Sequence, residues 1–324
     1  MKKFFPILRI ILVIILFAAL IFFIRAEFIK NSISIATIRD QINFTYLIFA
    51  IIFLFTFYLM LSEGLRYLFN KNRGDASKLS IPKGFGILNI SGIIKYIPGK
   101  VWSYLILFYV MKSKGFSLAK TVMDSFVHLV LYVTTPFLFM IPVSVFFFLS
   151  SLTTTIKILL IISGLLIYFV CLIISPLLLK VLVTLVNRFK KKEPIEYTPV
   201  SRSSVIKTQL FILAAYIFYI TSAGIIIYSI DSSLHISEIL QISVLCVFAA
   251  IVGFLALIVP GGLGVQETMI FLFMSSQSKD ISLSIVLPVI FRMVGFITDL
   301  LVGLTAFWLI RKEAIAAIKK PSQT

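Results

Sequence analysis

Ile97-Pro98-Gly99-Lys100-Val101 and Val259-Pro260-Gly261-Gly262-Leu263 each sit inside a long apolar stretch, and the reading of these two breaks decides the fold. Proline has no amide proton and glycine loosens the backbone, so each break interrupts a helical hydrogen-bond ladder. Lipid offers the freed groups no partner, and irregular backbone at membrane depth must be buried in protein or line a cavity. The surrounding stretches, Gly84–Met111 and Ile239–Met274, are therefore expected to form pairs of half-helices, re-entrant or crossing, instead of straight spans.

Working outward, six further segments satisfy the need for about 20 mostly apolar residues per crossing. They are Phe5–Ile24, Ile42–Leu61, Val122–Leu149, Ile156–Lys180, Val205–Ile230 and Ile281–Ile310. The 324 residues are 60% hydrophobic and 13% charged, against about 25% charged in soluble domains. The fold expected is an all-α polytopic membrane protein, with about six full transmembrane helices and two Pro-Gly-broken helix pairs. Lys2, Lys3 and Arg9 before the first apolar run resemble a secretory signal. The bulky Phe22-Phe23-Ile24-Arg25 that ends the run is a poor cleavage site, so it reads as an uncleaved span.

A formal charge of +17 would point to nucleic acid in a soluble protein. Here the cations flank apolar runs, so topology explains them better. With both termini cytoplasmic and both breaks re-entrant, 22 of the 30 basic residues fall on the cytoplasmic side. The protein is thus expected to be a multi-pass protein of the cell inner membrane. Within its single membrane domain, residues 1–186 form the first repeat, 187–207 a basic cytoplasmic linker, and 208–324 the second repeat. Lys190-Lys191-Lys192 in the linker is suited to anionic lipid headgroups.

Pro98 and Pro260 lie 162 residues apart, half the chain. After each break come a short arm and a polar turn, Lys112-Ser-Lys-Gly-Phe-Ser117-Leu118 and Gln277-Ser-Lys-Asp-Ile-Ser282-Leu283, and then a long span. In the topology above the first pair enters from the cytoplasm and the second from outside. That is the inverted repeat of secondary transporters, whose broken helices meet at a central site.

These residues resemble the transmembrane region of the lysylphosphatidylglycerol synthase family, whose best-known members include a lipid-flippase domain. The resemblance rests on Lys95-Tyr96-Ile97-Pro98-Gly99-Lys100-Val101-Trp102, on Pro260-Gly261-Gly262-Leu263-Gly264-Val265-Gln266-Glu267 and on Arg292. It implies an inner-membrane protein that moves a lipid between leaflets, and members with the Pro-Gly-Lys-Val-Trp form look associated with envelope glycan synthesis. Gln266 stands where many relatives carry arginine. With no aminoacyl-transferase domain in these 324 residues, the chain is expected to be a stand-alone member that does not make lysyl lipid.

Ionisable groups inside a membrane are costly, at about 2.5–3.5 kcal/mol each on insertion scales, and so mark candidate sites. Glu267 follows the second break by about one turn, Arg292 lies within the last span, and Asp299 is seven residues further on nearly the same helical face. A guanidinium fork suits a phosphate or carboxylate. Arg292 can thus hold a lipid phosphate that Glu267 replaces in the empty state, or the two can be a permanent structural pair, as can Arg292 and Asp299. Lys100 and Trp102 after the first break are candidates for an anionic headgroup, or for an interfacial lysine and an aromatic belt. Pro98, Gly99, Pro260, Gly261, Gly262 and Gly264 supply the broken-helix backbone.

Asp124 and His128 are four apart on one helical face, the spacing of a proton relay or of buried packing. Glu63 and Arg66 read as a surface ion pair, and Cys171 and Cys246 as packing residues. Phosphate-binding glycine loops, metal-ligand spacings and nucleophile-histidine-acid sets are absent from the sequence. The expected function is therefore a flippase or transporter of an anionic lipid or lipid-linked cell-envelope precursor, not an enzyme, with no cofactor, metal or nucleic-acid partner. The alternative is a non-transporting membrane partner of an envelope glycosyltransferase.

Overall fold

The computed structural model describes residues 42–71, 78–90, 107–108, 110–112, 115–148, 152–189, 200–256, 259–276 and 281–319. Among them every regular element is helical and none is a strand. In chain order these are α1 (Phe44–Lys71), α2 (Ile81–Asn89), α3 (Leu118–Thr134), α4 (Phe137–Phe148), α5 (Thr154–Phe189), α6 (Arg202–Ile230), α7 (Ile236–Leu255), α8 (Val265–Ser276) and α9 (Ile281–Lys319). A 3₁₀ turn, Pro260–Gly262, joins α7 to α8. Five described stretches are long and apolar enough to cross a membrane: Phe44–Lys71, Ala119–Val143, Arg202–Ile230, Ile236–Leu255 and Leu283–Arg311. The protein is all-α and polytopic, as the composition requires. The first expected span and the first break, with Pro98 and Gly99, lie outside the described residues.

One expected span keeps its crossing stretch, Ala119–Val143, but its helix is interrupted. Val122–Leu149 becomes α3 and α4, separated at Thr135–Pro136. Pro136 has no amide to continue the ladder, and the Thr135 hydroxyl donates to the Leu131 carbonyl at 2.5 Å.

The chain forms two compact units. Among the described residues the first takes 42–56, 217–256, 259–276 and 281–302. Here α1 and α6 run antiparallel. The Asn43 amide donates to the Ser229 carbonyl at 3.0 Å, the rings of Tyr46 and Tyr228 meet edge-on at 5.2 Å, and the Ser222 hydroxyl donates to the Ala50 carbonyl at 2.8 Å. In the same unit α7 and α8 fold back on each other as an antiparallel hairpin: Gly253 lies against Gln266 near the turn, and Phe248 meets Phe273 further along, with centroids 6.0 Å apart.

The second unit holds the rest of α1, α2 to α5, the first part of α6 and the end of α9. Its organising feature is a polar clamp between α1 and α2. Arg66 donates from Nε and Nη2 to the Glu63 carboxylate, and from Nη1 to the Leu79 carbonyl at 3.1 Å. Asn70 exchanges two hydrogen bonds with the Leu79 backbone, at 2.8 and 2.9 Å. At the far end of α2, Asn89 donates to the Ser62 hydroxyl at 2.6 Å. Gly84 is what lets α2 lie over Arg66, because a Cβ there would fall 2.5 Å from the arginine Cδ. This corrects the reading of Glu63 and Arg66 as a surface pair of little consequence. Glu63 is buried at 7% exposure, and its partner ties two helices together. Spacing alone revealed an i,i+3 pair but could not reveal that α2 folds over it.

Candidate functional site

The second break is built as its sequence demands. Gly261, Gly262 and Gly264 adopt φ of 59°, 68° and 81°, a left-handed region that side chains other than glycine rarely occupy. Gly262 is doubly constrained, since a Cβ on it would lie 2.6 Å from the Gly253 carbonyl oxygen of the opposite helix. The turn can be this tight only because two glycines, Gly253 and Gly262, meet there.

Three left-handed glycines leave backbone groups that the helices cannot satisfy, and two charged side chains take them up. Glu267, the third residue of α8, turns back so that Oε2 accepts the Gly264 amide at 2.7 Å. Such a carboxylate both seals a free amide and complements the positive end of the helix dipole. Its other oxygen, Oε1, accepts the Nε proton of Arg292 from α9. Arg292 in turn donates from Nη1 to the Gly261 carbonyl at 3.3 Å. The guanidinium thus holds one end of the turn and the carboxylate the other, and the ion pair joins the two.

The cluster is desolvated, with side-chain exposures of 20% for Arg292 and 7% for Glu267. Removing either partner of a buried pair leaves an uncompensated charge and costs about 3–5 kcal/mol. Asp299, seven residues beyond Arg292 on α9, is also buried. The structure therefore brings together Glu267, Arg292 and the Gly261–Gly264 backbone, three of the features expected from the sequence. Arg292 is paired with Glu267, the first of the two structural pairings considered for it. Lys100 and Trp102 lie outside the described residues.

Asp124 and His128 sit in the second unit and are engaged separately. Asp124 forms an ion pair with Lys120 at 3.0 Å, without the alignment of a hydrogen bond. His128 lies 3.1 Å from the Leu61 carbonyl through Nε2. Because a carbonyl only accepts, a hydrogen bond there places a proton on that nitrogen. Among the described residues no group of three or more histidine, cysteine or acidic side chains is placed to hold a metal.

The family model described as "Lysylphosphatidylglycerol synthase TM region" matches residues 8–303. The chain belongs to this family. Membership in the lysylphosphatidylglycerol synthase transmembrane-region family agrees with the apolar helices and makes the chain an integral, multi-pass membrane protein. The match contains the whole Pro260–Gly264 turn, Glu267, Arg292 and Asp299. No curated protein and no solved structure matches the chain.

Two partners at this site escaped the sequence reading of the family motif: the Gly261 carbonyl, bound by Arg292, and the Gly264 amide, bound by Glu267. The signal was present in the glycines themselves. A left-handed turn always leaves main-chain groups that something must satisfy.

Proposed function

We propose that this protein is a flippase of the inner membrane that moves an anionic lipid, or a lipid-linked cell-envelope precursor, between leaflets. The observation that carries the reading is the Arg292 guanidinium, held at the turn of a helical hairpin by a carboxylate that an anionic headgroup can replace. Family membership supports the same class of function.

In the empty state Glu267 neutralises Arg292. An incoming phosphate competes for the guanidinium, whose planar fork suits it. Glu267 need not leave the turn when this happens, because its Oε2 remains bonded to the Gly264 amide. Asp299 adds a second negative group on the face of α9 that carries Arg292, favouring return to the empty state once the cargo departs. Lys100 and Trp102 supply a cation and an aromatic surface for the same headgroup, and Asp124 with His128 relays a proton that drives the cycle.

The hairpin is re-entrant in this reading, since α8, with 12 residues, extends only about 18 Å against a hydrocarbon core of about 30 Å. A corresponding hairpin at Pro98-Gly99 completes the inverted repeat. The basic residues of the second unit support cytoplasmic termini. Lys71, Lys78, Lys83, Lys112, Arg202 and Lys207 are exposed near the contacts of Tyr67 with Lys207, Phe69 with Phe116 and Asn70 with Leu79.

The test is reconstitution in vesicles carrying labelled phosphatidylglycerol or a labelled lipid-linked sugar phosphate, with outer-leaflet label destroyed by an impermeant reductant. Protection lost faster than in empty vesicles, and restored by Arg292→Ala, is the expected result. No movement above empty vesicles for any anionic lipid tried overturns the proposal. In that case full function in cells of Arg292→Ala and Glu267→Gln, with co-purification of an envelope glycosyltransferase, would favour a non-transporting partner.

A further inference from the structure

Arg66 in the second unit repeats the donor pattern that Arg292 shows in the first. Each arginine stands on a long apolar helix, donates from Nε to a glutamate carboxylate, and donates from Nη1 to a main-chain carbonyl outside its own helix. That carbonyl belongs to Gly261 in one case and to Leu79 in the other, each in the connection that leads into a shorter helix. The likeness is one of chemistry, and it raises the question of what Arg66 can bind.

A guanidinium has five N–H groups. In Arg66 the Glu63 carboxylate takes the proton on Nε and one on Nη2, at 2.9 and 2.6 Å, and the Leu79 carbonyl takes one on Nη1. Among the described residues nothing takes the second proton on either Nη, and the side chain is 22% exposed. Paired N–H groups on one guanidinium are a fork for two phosphate oxygens. The surrounding charge is one-sided. Among the described residues 57–71 and 78–90, Glu63 is the one acid, against Arg66, Lys71, Lys78 and Lys83. The three lysines are exposed, and each is the chain neighbour of a residue at the clamp. Lys71 follows Asn70, Lys78 precedes Leu79, and Lys83 precedes Gly84, over which the Arg66 side chain lies. Depth agrees with this. Arg66 stands five residues before the end of α1, about 7.5 Å along the axis, and each headgroup layer of a bilayer is about 5–7 Å thick.

We propose that the clamp between α1 and α2 is a second anion site, in which Arg66 binds the phosphate of an anionic lipid headgroup through its two open Nη protons while Lys78 and Lys83 offset the phosphate charge. Glu63 keeps its place, so occupancy requires no rearrangement of α1. A phosphate shared by Arg66, Lys78 and Lys83 is one more tie between α1 and the start of α2. The site depends neither on Arg292 nor on lipid movement between leaflets.

The experiment is hydrogen exchange on the full chain in neutral detergent, titrated with phosphatidylglycerol, with phosphatidylcholine of the same acyl chains, or with inorganic phosphate. Phosphatidylglycerol slows exchange in α2 about fivefold, the worth of one added cation–phosphate tie, and phosphatidylcholine does not. Protection in α8 reports Arg292 instead, so the two sites are read separately. Lys78→Gln with Lys83→Gln leaves the clamp intact and raises the half-saturating amount of phosphatidylglycerol about 25-fold, at about fivefold per cation. Glu63→Gln with Arg66→Gln removes both charges together and abolishes the slowing by phosphatidylglycerol, whatever the basal rate of α2. Equal protection of α2 by the two lipids, or protection that survives in the Glu63→Gln, Arg66→Gln protein, overturns the site. Protection by inorganic phosphate and not by phosphatidylglycerol overturns the lipid as its source. Should that protein fail to give monodisperse material, Arg66→Lys keeps the charge but loses the fork. It must weaken phosphatidylglycerol binding, and wild-type binding in it overturns the site as well.

Discussion

Arg292 and Glu267, 25 residues apart in the chain, are joined as a buried ion pair across the turn between α7 and α8. Each also holds backbone of that turn, so the pair links charge neutrality to the shape of the hairpin.

Arg292→Ala is expected to destabilise the protein by about 3–5 kcal/mol, because Glu267 is then buried without its counter-charge. Adding Glu267→Gln should recover part of the loss, since glutamine carries no charge and its side-chain oxygen still accepts the Gly264 amide. Thermal unfolding in detergent of the two single variants and the double variant measures this coupling. Additive losses would show that the pair does not act as a unit.

Gly262→Ala is expected to be worse than Gly264→Ala. Both positions need a left-handed residue, at about 1–2 kcal/mol each. At Gly262 the new methyl also strikes the Gly253 carbonyl oxygen at 2.6 Å, whereas at Gly264 nothing lies within 4 Å. Melting temperatures of the two variants decide it, and equal losses would contradict the close contact of α7 with the turn.

Asn70→Ala removes two hydrogen bonds to Leu79, each worth about 0.5–1.5 kcal/mol net. Hydrogen exchange in α2 should accelerate, while exchange in α7 and α8 stays as in the wild type. Unchanged exchange throughout residues 81–89 would mean that Arg66 holds α2 without help.

His128→Gln keeps a side-chain N–H able to donate to the Leu61 carbonyl, whereas His128→Leu does not. Stability should therefore survive the glutamine and fall with the leucine. If His128 relays protons, His128→Gln abolishes the dependence of lipid movement on an imposed pH gradient while leaving the melting temperature unchanged. A gradient response that persists in His128→Gln removes the relay.

The break at Pro260–Gly262 and the pairing of Glu267 with Arg292 were legible in the sequence for one reason. Each follows from what lipid forbids: unsatisfied backbone in the first case, a lone charge in the second. Glu63 and Arg66 carried the same kind of signal but were read through local spacing, which reports neighbours on one helix and nothing about α2 folding over them. Thr135 and Gln209 stood as polar residues within apolar runs, yet their meeting depends on how α3 and α6 pack, and periodicity holds no record of that. Pro136 was equally visible, but the apolar run continues past it, and hydropathy does not register a missing amide.

The turn from Pro260 to Gly264 carries one proline ring and one leucine side chain, and otherwise only main chain. Main chain is the same in every protein, so this turn offers natural selection almost nothing to vary. On the proposed function, relatives that differ in cargo would differ in the side chains around it, at positions such as that of Gln266, and the loop would be the wrong place to look for selectivity.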